Sequence, residues 1–361
     1  MKTAYSADMP DIAGARQDMA ARADRVLVVI PTLNEAAHIA ATLRALVAPC
    51  NLPVDHAPSD HAHLPQQDAL RIVVVDGGST DETRSIVQAL QADDHRLHLL
   101  DNPDRLQSAG INHAVARFGQ GYDILVRCDA HAVYPPGYVA DVAKALRATK
   151  AAALVVPMDA IADPQQANPF QRAAAWVVDT PFGSGGSAHR GGKRSGLVDH
   201  GHHAGMDLQW FTQIGGYDPA FSHNEDAEYD YRLRQAGGMI WLEAGIRLAY
   251  VMRPTLRALA RQYWFYGRGR ARTIRKHAMR PRLRQLVPVA NLLGIGLSLI
   301  LAPVWSWTLL WPAAYLCAIT GIALLGIRAL GGVSGLWAGV ALLIMHNAWA
   351  AGFLRQIGYR L

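Results

Sequence analysis

From Ala244 to Leu361 the chain carries 15 Lys and Arg and not one Asp or Glu. Residues 1–243 hold all 29 acids and the other 20 bases, a net charge of −9. A chain divided in this way does not fold as one uniform globule. The basic sequence pI of 9.3 is a property of the tail, and it points to an anionic surface, either membrane headgroups or nucleic acid. Three nearly uncharged stretches decide between them, at about 286–303, 307–327 and 333–354, broken only near Arg328. Each approaches the ~20 residues that cross a bilayer as a helix, and Gly and Pro are tolerated there. Buried helices of a large soluble core would be equally apolar. They would not be expected to follow a basic cluster such as Arg268, Arg270, Arg272, Arg275, Lys276, Arg280, Arg282 and Arg284. A polybasic segment against a first apolar run belongs at a membrane surface, and nucleic acid drops out as a partner.

The same cluster predicts orientation, since basic flanks stay on the cytoplasmic side. MKTAYSADMP lacks the apolar centre of a signal peptide, so residues 1–285 are expected in the cytoplasm. Three complete spans would leave Arg355 and Arg360 on the far side, so either two or three spans fit. Cys50, Cys128 and Cys317 are scattered without CxxC spacing, which suits a reducing compartment and suggests neither a disulfide framework nor a zinc site.

Within the acidic part, short apolar runs at 26–30, 72–75, 97–100, 124–126 and 153–156 alternate with helical patterns at 35–47, 80–91, 107–118 and 136–148. This alternation predicts an α/β fold with a mainly parallel sheet flanked by helices. Ligands of such sheets bind beyond the carboxyl ends of the strands, so residues just after each strand have first claim on function. Residues 49–69, with His56, His61 and His63, read as a solvated surface insertion more than a metal site. Residues 181–205, rich in Gly and His, read as a second loop.

Pro31-Thr32-Leu33-Asn34-Glu35 follows the first strand. Asp76-Gly77-Gly78-Ser79-Thr80-Asp81 follows the second; it suits a nucleotide, although a helix-capping turn explains it equally well. Arg127-Cys128-Asp129-Ala130-His131 ends the fourth. Residues two apart in an extended segment project to the same side, and carboxylate plus imidazole is a reasonable divalent-metal pair. Gly215-Gly216-Tyr217-Asp218 and His223-Asn224-Glu225-Asp226 open a later helix, where adjacent acids can also be mere dipole complements.

In this order, the set resembles the family 2 inverting glycosyltransferases. Within them it is similar to the succinoglycan-biosynthesis glucosyltransferase type, through Gly185-Gly186-Ser187-Ala188, Val198-Asp199-His200-Gly201-His202-His203, His223-Asn224-Glu225-Asp226-Ala227-Glu228-Tyr229-Asp230 and Tyr266-Gly267-Arg268-Gly269-Arg270. The resemblance covers residues 25–275 and, loosely, the tail. It implies a GT-A type catalytic domain at 24–250, after a mobile leader at 1–23. A basic interfacial segment at 251–285 and a transmembrane anchor at 286–361 would follow.

By the same resemblance, Pro31, Thr32, Asn34, Glu35 and Asp76 would hold the uridine of a UDP-sugar, with Gly77, Gly78, Arg105 and Glu225 among the substrate-binding residues. Asp129 matches the first acid of the Asp-x-Asp metal motif, and His131 stands at its second position, a departure from the common pattern; Mg²⁺ or Mn²⁺ would be the cofactor. Asp226 matches the catalytic base. The usual Gln-x-x-Arg-Trp motif is missing, and Arg268 is the candidate in its place, unless it serves only as membrane-surface charge. His200, His202 and His203 either line the acceptor site or pack the loop. The activity implied is inverting transfer of glucose to a lipid-linked, polyprenyl-diphosphate saccharide at the bacterial inner membrane. Two rivals are a sugar-phosphate nucleotidyltransferase and a non-catalytic membrane adaptor. The first would carry a Gly-rich basic loop in place of PTLNE, and intact Asp76, Asp129 and Asp226 argue against the second.

Overall fold

The computed structural model describes residues 24–52, 69–187, 190 and 192–358. The expected leader, the histidines at 56, 61 and 63, Ala188 and Arg360 lie outside them. In chain order the elements are β1 (Val26–Thr32), α1 (Ile39–Leu46), β2 (Leu70–Asp76), α2 (Thr83–Asp93), β3 (Leu97–Asp101), α3 (Gln107–Phe118), β4 (Ile124–Arg127), β5 (Ala132–Val133) and α4 (Tyr138–Thr149). Next come β6 (Ala153–Val156), β7 (Met158–Ile161), α5 (Pro169–Val178), the short turn α6 (Pro181–Ser184), β8 (Gly196–Val198), β9 (His202–Asp207) and α7 (Leu208–Gln213). The remainder is α8 (Glu225–Gln235), β10 (Ile240–Leu242), β11 (Leu248–Val251), α9 (Leu256–Lys276), α10 (Leu283–Leu301), α11 (Leu310–Leu330) and α12 (Trp337–Ile357).

The central sheet runs β3-β2-β1-β4-β9-β6-β10-β8. The first four strands are parallel, as their unbroken Val and Ile runs predict for strands covered on both faces. β9 is antiparallel to both β4 and β6, and β8 to β10. A smaller sheet, β5-β11-β7, flanks it.

The segment 181–205 is not the loop that its composition suggests. It contains β8 and the start of β9, and β9 lies in the middle of the sheet. His-His-Ala-Gly-Met-Asp lacks the β-branched residues that mark strands, and its glycines are set by crowding instead of by turns. A Cβ on Gly201 would stand 2.6 Å from Val155 Cγ2, and one on Gly205 2.6 Å from Val142 Cγ1.

Three C-terminal helical segments, Leu283–Leu301, Ser306–Leu330 and Val333–Ile357, are long and apolar enough to cross a membrane. They are not alike. Only 11% and 17% of the first two are buried within the protein, against 44% of the third. α12 packs against α5 and α9, and one continuous apolar core joins Val28, Val126 and Val156 of the sheet to Ala173 and Val177 of α5 and to Ala338, Leu342 and Met345 of α12. Phe170 meets Trp337 edge-on at 5.9 Å.

Candidate active site

β1 and β2 pair in register down to Thr32 opposite Asp76, so the loops that follow them begin side by side. They are cross-linked. Asn34, in the left-handed conformation at φ 56°, donates its N–H to Ser79 Oγ at 2.9 Å and accepts from Thr80 N–H at 2.8 Å. Glu35 N–H donates to Thr83 Oγ1 at 2.8 Å. Asp76 is 1% exposed; its carboxylate accepts from Gly78 N–H, from the Ser79 hydroxyl at 2.5 Å and from Arg84 at 2.7 Å. Burial works to raise its pKa, yet the Ser79 and Arg84 hydrogen bonds hold it below the ordinary value. Asp76 thus builds the turn itself. Gly78 (φ 87°) lies under the Arg105 guanidinium, whose Nε would be 3.6 Å from a Cβ there.

At the end of β4, Arg127 is buried with its Nη1 3.1 Å from Glu225 and its Nε 3.8 Å from Asp129. His202 Nε2 stands 3.9 Å from the other oxygen of Asp129. Burial raises the Asp129 pKa, but Arg127, His202, His131 and Arg253 together hold it below the usual carboxylate value. His131 is close by, but its Nδ1 faces Glu35 Oε1 at 3.0 Å, and its ring meets Tyr250 edge-on. The imidazole that stands against the carboxylate is therefore His202, which burial keeps neutral with a pKa of about 4. Among the described residues, no three His, Cys, Asp or Glu side chains converge as a ligand cage. Asp129 nonetheless fits a hard divalent ion: it is ionised, and its oxygens are met only by these long ion-pair approaches. A diphosphate supplies most of the ligands such an ion needs.

Gly215 and Gly216, both left-handed at φ 80° and 66°, and Asn224 at φ 60° turn the chain into α8. Here Glu225 is buried against Arg127, while Asp226 stays partly exposed at the cleft. Burial pushes Glu225 up against the pull of Arg127. Burial also acts to raise Asp226, but His200, His203 and Arg127 outweigh it and hold its pKa below the ordinary value. The two neighbouring carboxylates are thus pushed apart, with Asp226 the more acidic of the pair. One turn on, Asp230 is fully enclosed, with Oδ2 2.8 Å from His200 Nδ1 and Oδ1 2.7 Å from His203 Nε2. His203 Nδ1 reaches Tyr217 Oη at 2.6 Å. Both ring nitrogens of His203 are thus occupied inside the core, and it is His202, on the opposite face of β9, that points toward Asp129.

The structure brings together the β1 and β2 loops, Asp129, His131, His202, Glu225 and Asp226. It does not bring Arg268 to them. Arg268 lies exposed on α9 beside Phe265 and Gln356, because the face of α9 turned to the cleft carries Arg270. Burial lowers the Arg270 pKa, with Asp226 and Asp230 near enough to oppose it. Arg253 similarly lies within electrostatic reach of Glu35 and Asp129. Arg127, Asp230 and Arg270 stand inside the quoted motifs, where the sequence assigned them no role, and Arg253 stands in none.

The family model for glycosyl transferase family 2 matches residues 27–215. Over 340 residues the chain is 41% identical to the succinoglycan biosynthesis protein ExoA of Rhizobium meliloti (strain 1021), covering 92% of this chain and 94% of that protein. The chain belongs to glycosyltransferase family 2. Among solved structures it is similar to the mannosyltransferase PcManGT from Pyrobaculum calidifontis in complex with GDP-Man and Mn²⁺, with a TM-score of 0.54, 18% identity and coverage of 94% of this chain and 90% of that one. The fold of this glycosyltransferase is of the GT-A type, and the match to the succinoglycan biosynthesis protein takes in 92% of the chain. A nucleotidyltransferase reading has no support left.

Proposed function

We propose that this glycosyltransferase works in exopolysaccharide assembly, transferring a sugar with inversion from a UDP-sugar to a lipid-linked saccharide at the cytoplasmic face of the membrane. The observation that carries the reading is a pair of acids at the cleft, the partly exposed Asp226 and Asp129, both held below the ordinary carboxylate pKa and both within electrostatic reach of Arg127. Inversion needs a single base and no enzyme nucleophile. An acceptor hydroxyl attacks the anomeric carbon opposite the diphosphate, and Asp226 takes its proton as the bond forms. Arg270 and Arg253 supply the positive charge near the departing diphosphate. The rim formed by Asn34, Glu35, Asp76, Gly77, Gly78 and Arg105 borders the nucleoside end. Asp129, with His202 or His131, would hold Mg²⁺ or Mn²⁺, which neutralises developing phosphate charge.

Glucose is the sugar that the resemblance to succinoglycan enzymes favours. The basic flank of the apolar helices favours the cytoplasmic face. The test is transfer from a panel of UDP- and GDP-sugars by membranes containing the full chain, with and without EDTA. Labelled product from UDP-glucose, lost in EDTA, is expected; transfer from every donor except UDP-sugars overturns the reading.

A further inference from the structure

Beside the base there is a second basic site. A cavity of about 480 Å³ opens between Ser187, Leu197, Asp199, His200, Arg282 and Arg284. Its two ends differ in place. His200 is the neighbour with the largest lowering effect on Asp226. Arg282 and Arg284 straddle the first residue of α10, the first helix long and apolar enough to cross a membrane, so their guanidinium groups lie at its N-terminal end. The cavity thus joins the proton acceptor to the membrane surface.

Its charge is unbalanced. Arg282 is ion-paired with Asp199, and both side chains are well exposed; Arg284 reaches the Gly185 carbonyl at 3.4 Å and lies within electrostatic reach of Asp199. Arg270, outside the cavity lining, is close enough to both for their charges to disfavour its own, an effect added to that of burial. Of the other acids near Arg270, Asp226 stands at the cleft and Asp230 is already held by two histidines. Two arginines and a histidine lining the cavity beside a single lining carboxylate, in a space large enough for a phosphorylated sugar, form a site for an anion.

We propose that this cavity binds the phosphate that links the acceptor saccharide to its lipid, with Arg282 and Arg284 as its ligands and Asp199 as a built-in competitor for Arg282. This rests on the lipid-linked acceptor reading above. Anchored there, the saccharide lies along Leu197 and Val198 with its free end toward His200 and Asp226. Transfer would be selective for acceptors whose phosphate can sit at headgroup depth.

The experiment uses the full chain in vesicles. One acceptor is the polyprenyl-diphosphate saccharide pool extracted from polysaccharide-producing membranes; the other is the same saccharides freed of diphosphate and lipid. If the wild type uses the freed saccharides as well as the lipid-linked pool, the lipid-linked reading itself fails. If it prefers the pool, Arg284→Gln and Arg282→Gln should raise the acceptor KM about tenfold, as expected for a lost charge-assisted hydrogen bond, with the donor KM unchanged. Asp199→Asn should lower the acceptor KM, an opposite sign that mere structural damage does not produce. Unchanged acceptor KM in both arginine variants overturns the proposal, and so does a rise seen in anionic vesicles but absent in phosphatidylcholine, which would make the arginines general surface charge.

Discussion

Replacing Asp226 by Asn keeps its size and its backbone hydrogen bond to Ala227 but removes the basic oxygen. Transfer should fall on the order of 10²-fold or more, with nucleotide affinity retained in a binding titration; near-normal turnover would exclude Asp226 as the base. Because the pKa of Asp226 lies below its ordinary 3.8, the acid limb of kcat/KM should lie below the usual carboxylate range. Behind it, His203→Leu leaves the enclosed Asp230 without one of its two imidazoles. Removing a partner from a buried pair costs about 3 kcal/mol, and thermal unfolding in detergent should show it. The sign with pH can be checked as well. Asp230 has a folded pKa of about 2 against 3.8, so the stability it contributes is complete above the ordinary value and disappears as pH falls through the interval between them. The deficit of His203→Leu should shrink over that same interval, and a constant deficit would mean that Asp230 is not the group involved.

Elements built from local pattern were legible in the sequence; those fixed by distant partners were not. β1, β2, β3, β4 and β6 stand out as apolar runs, and α3 coincides with its predicted bounds. β9 was hidden because its neighbours Val142 and Val155 impose small residues where composition suggests a loop. Asp129 and Asp226 were visible from their positions after a strand and a glycine turn, whereas Arg270 was not, since only the docking of α9 shows which arginine faces inward. That docking is reciprocal. A Cβ on Gly267 would stand 2.0 Å from the Trp349 carbonyl of α12, and one on Gly352 2.1 Å from the Trp264 carbonyl of α9. Gly267→Ala should therefore cost on the order of 2 kcal/mol through overpacking. Gly321→Ala on α11, where nothing lies within 4 Å, should be neutral or slightly stabilising, as helix propensity predicts. Equal melting temperatures for the two variants would show that α9 and α12 do not cross so closely.

At the scale of the molecule, α9 ties α8 to the C-terminal helices. Asn224 Nδ2 donates to the Tyr266 carbonyl at 2.9 Å, Lys276 Nζ meets Glu228 at 2.6 Å, and Arg275 donates to the Gln356 carbonyl at 2.8 Å. A chain ending near Arg284 would bare the faces of α5 and α9 that α12 covers. It should aggregate or lose transfer even toward water-soluble acceptors; a folded, active fragment of that length would show that α12 is dispensable to the core. The same arrangement sets a sequence of events in time. β1 to β11 and the proposed base emerge from the ribosome well before α12, yet the apolar cluster on one face of the sheet is completed by α12. The apolar faces of α5 and of the sheet that α12 covers therefore stay bare until the last helix of the chain has been made.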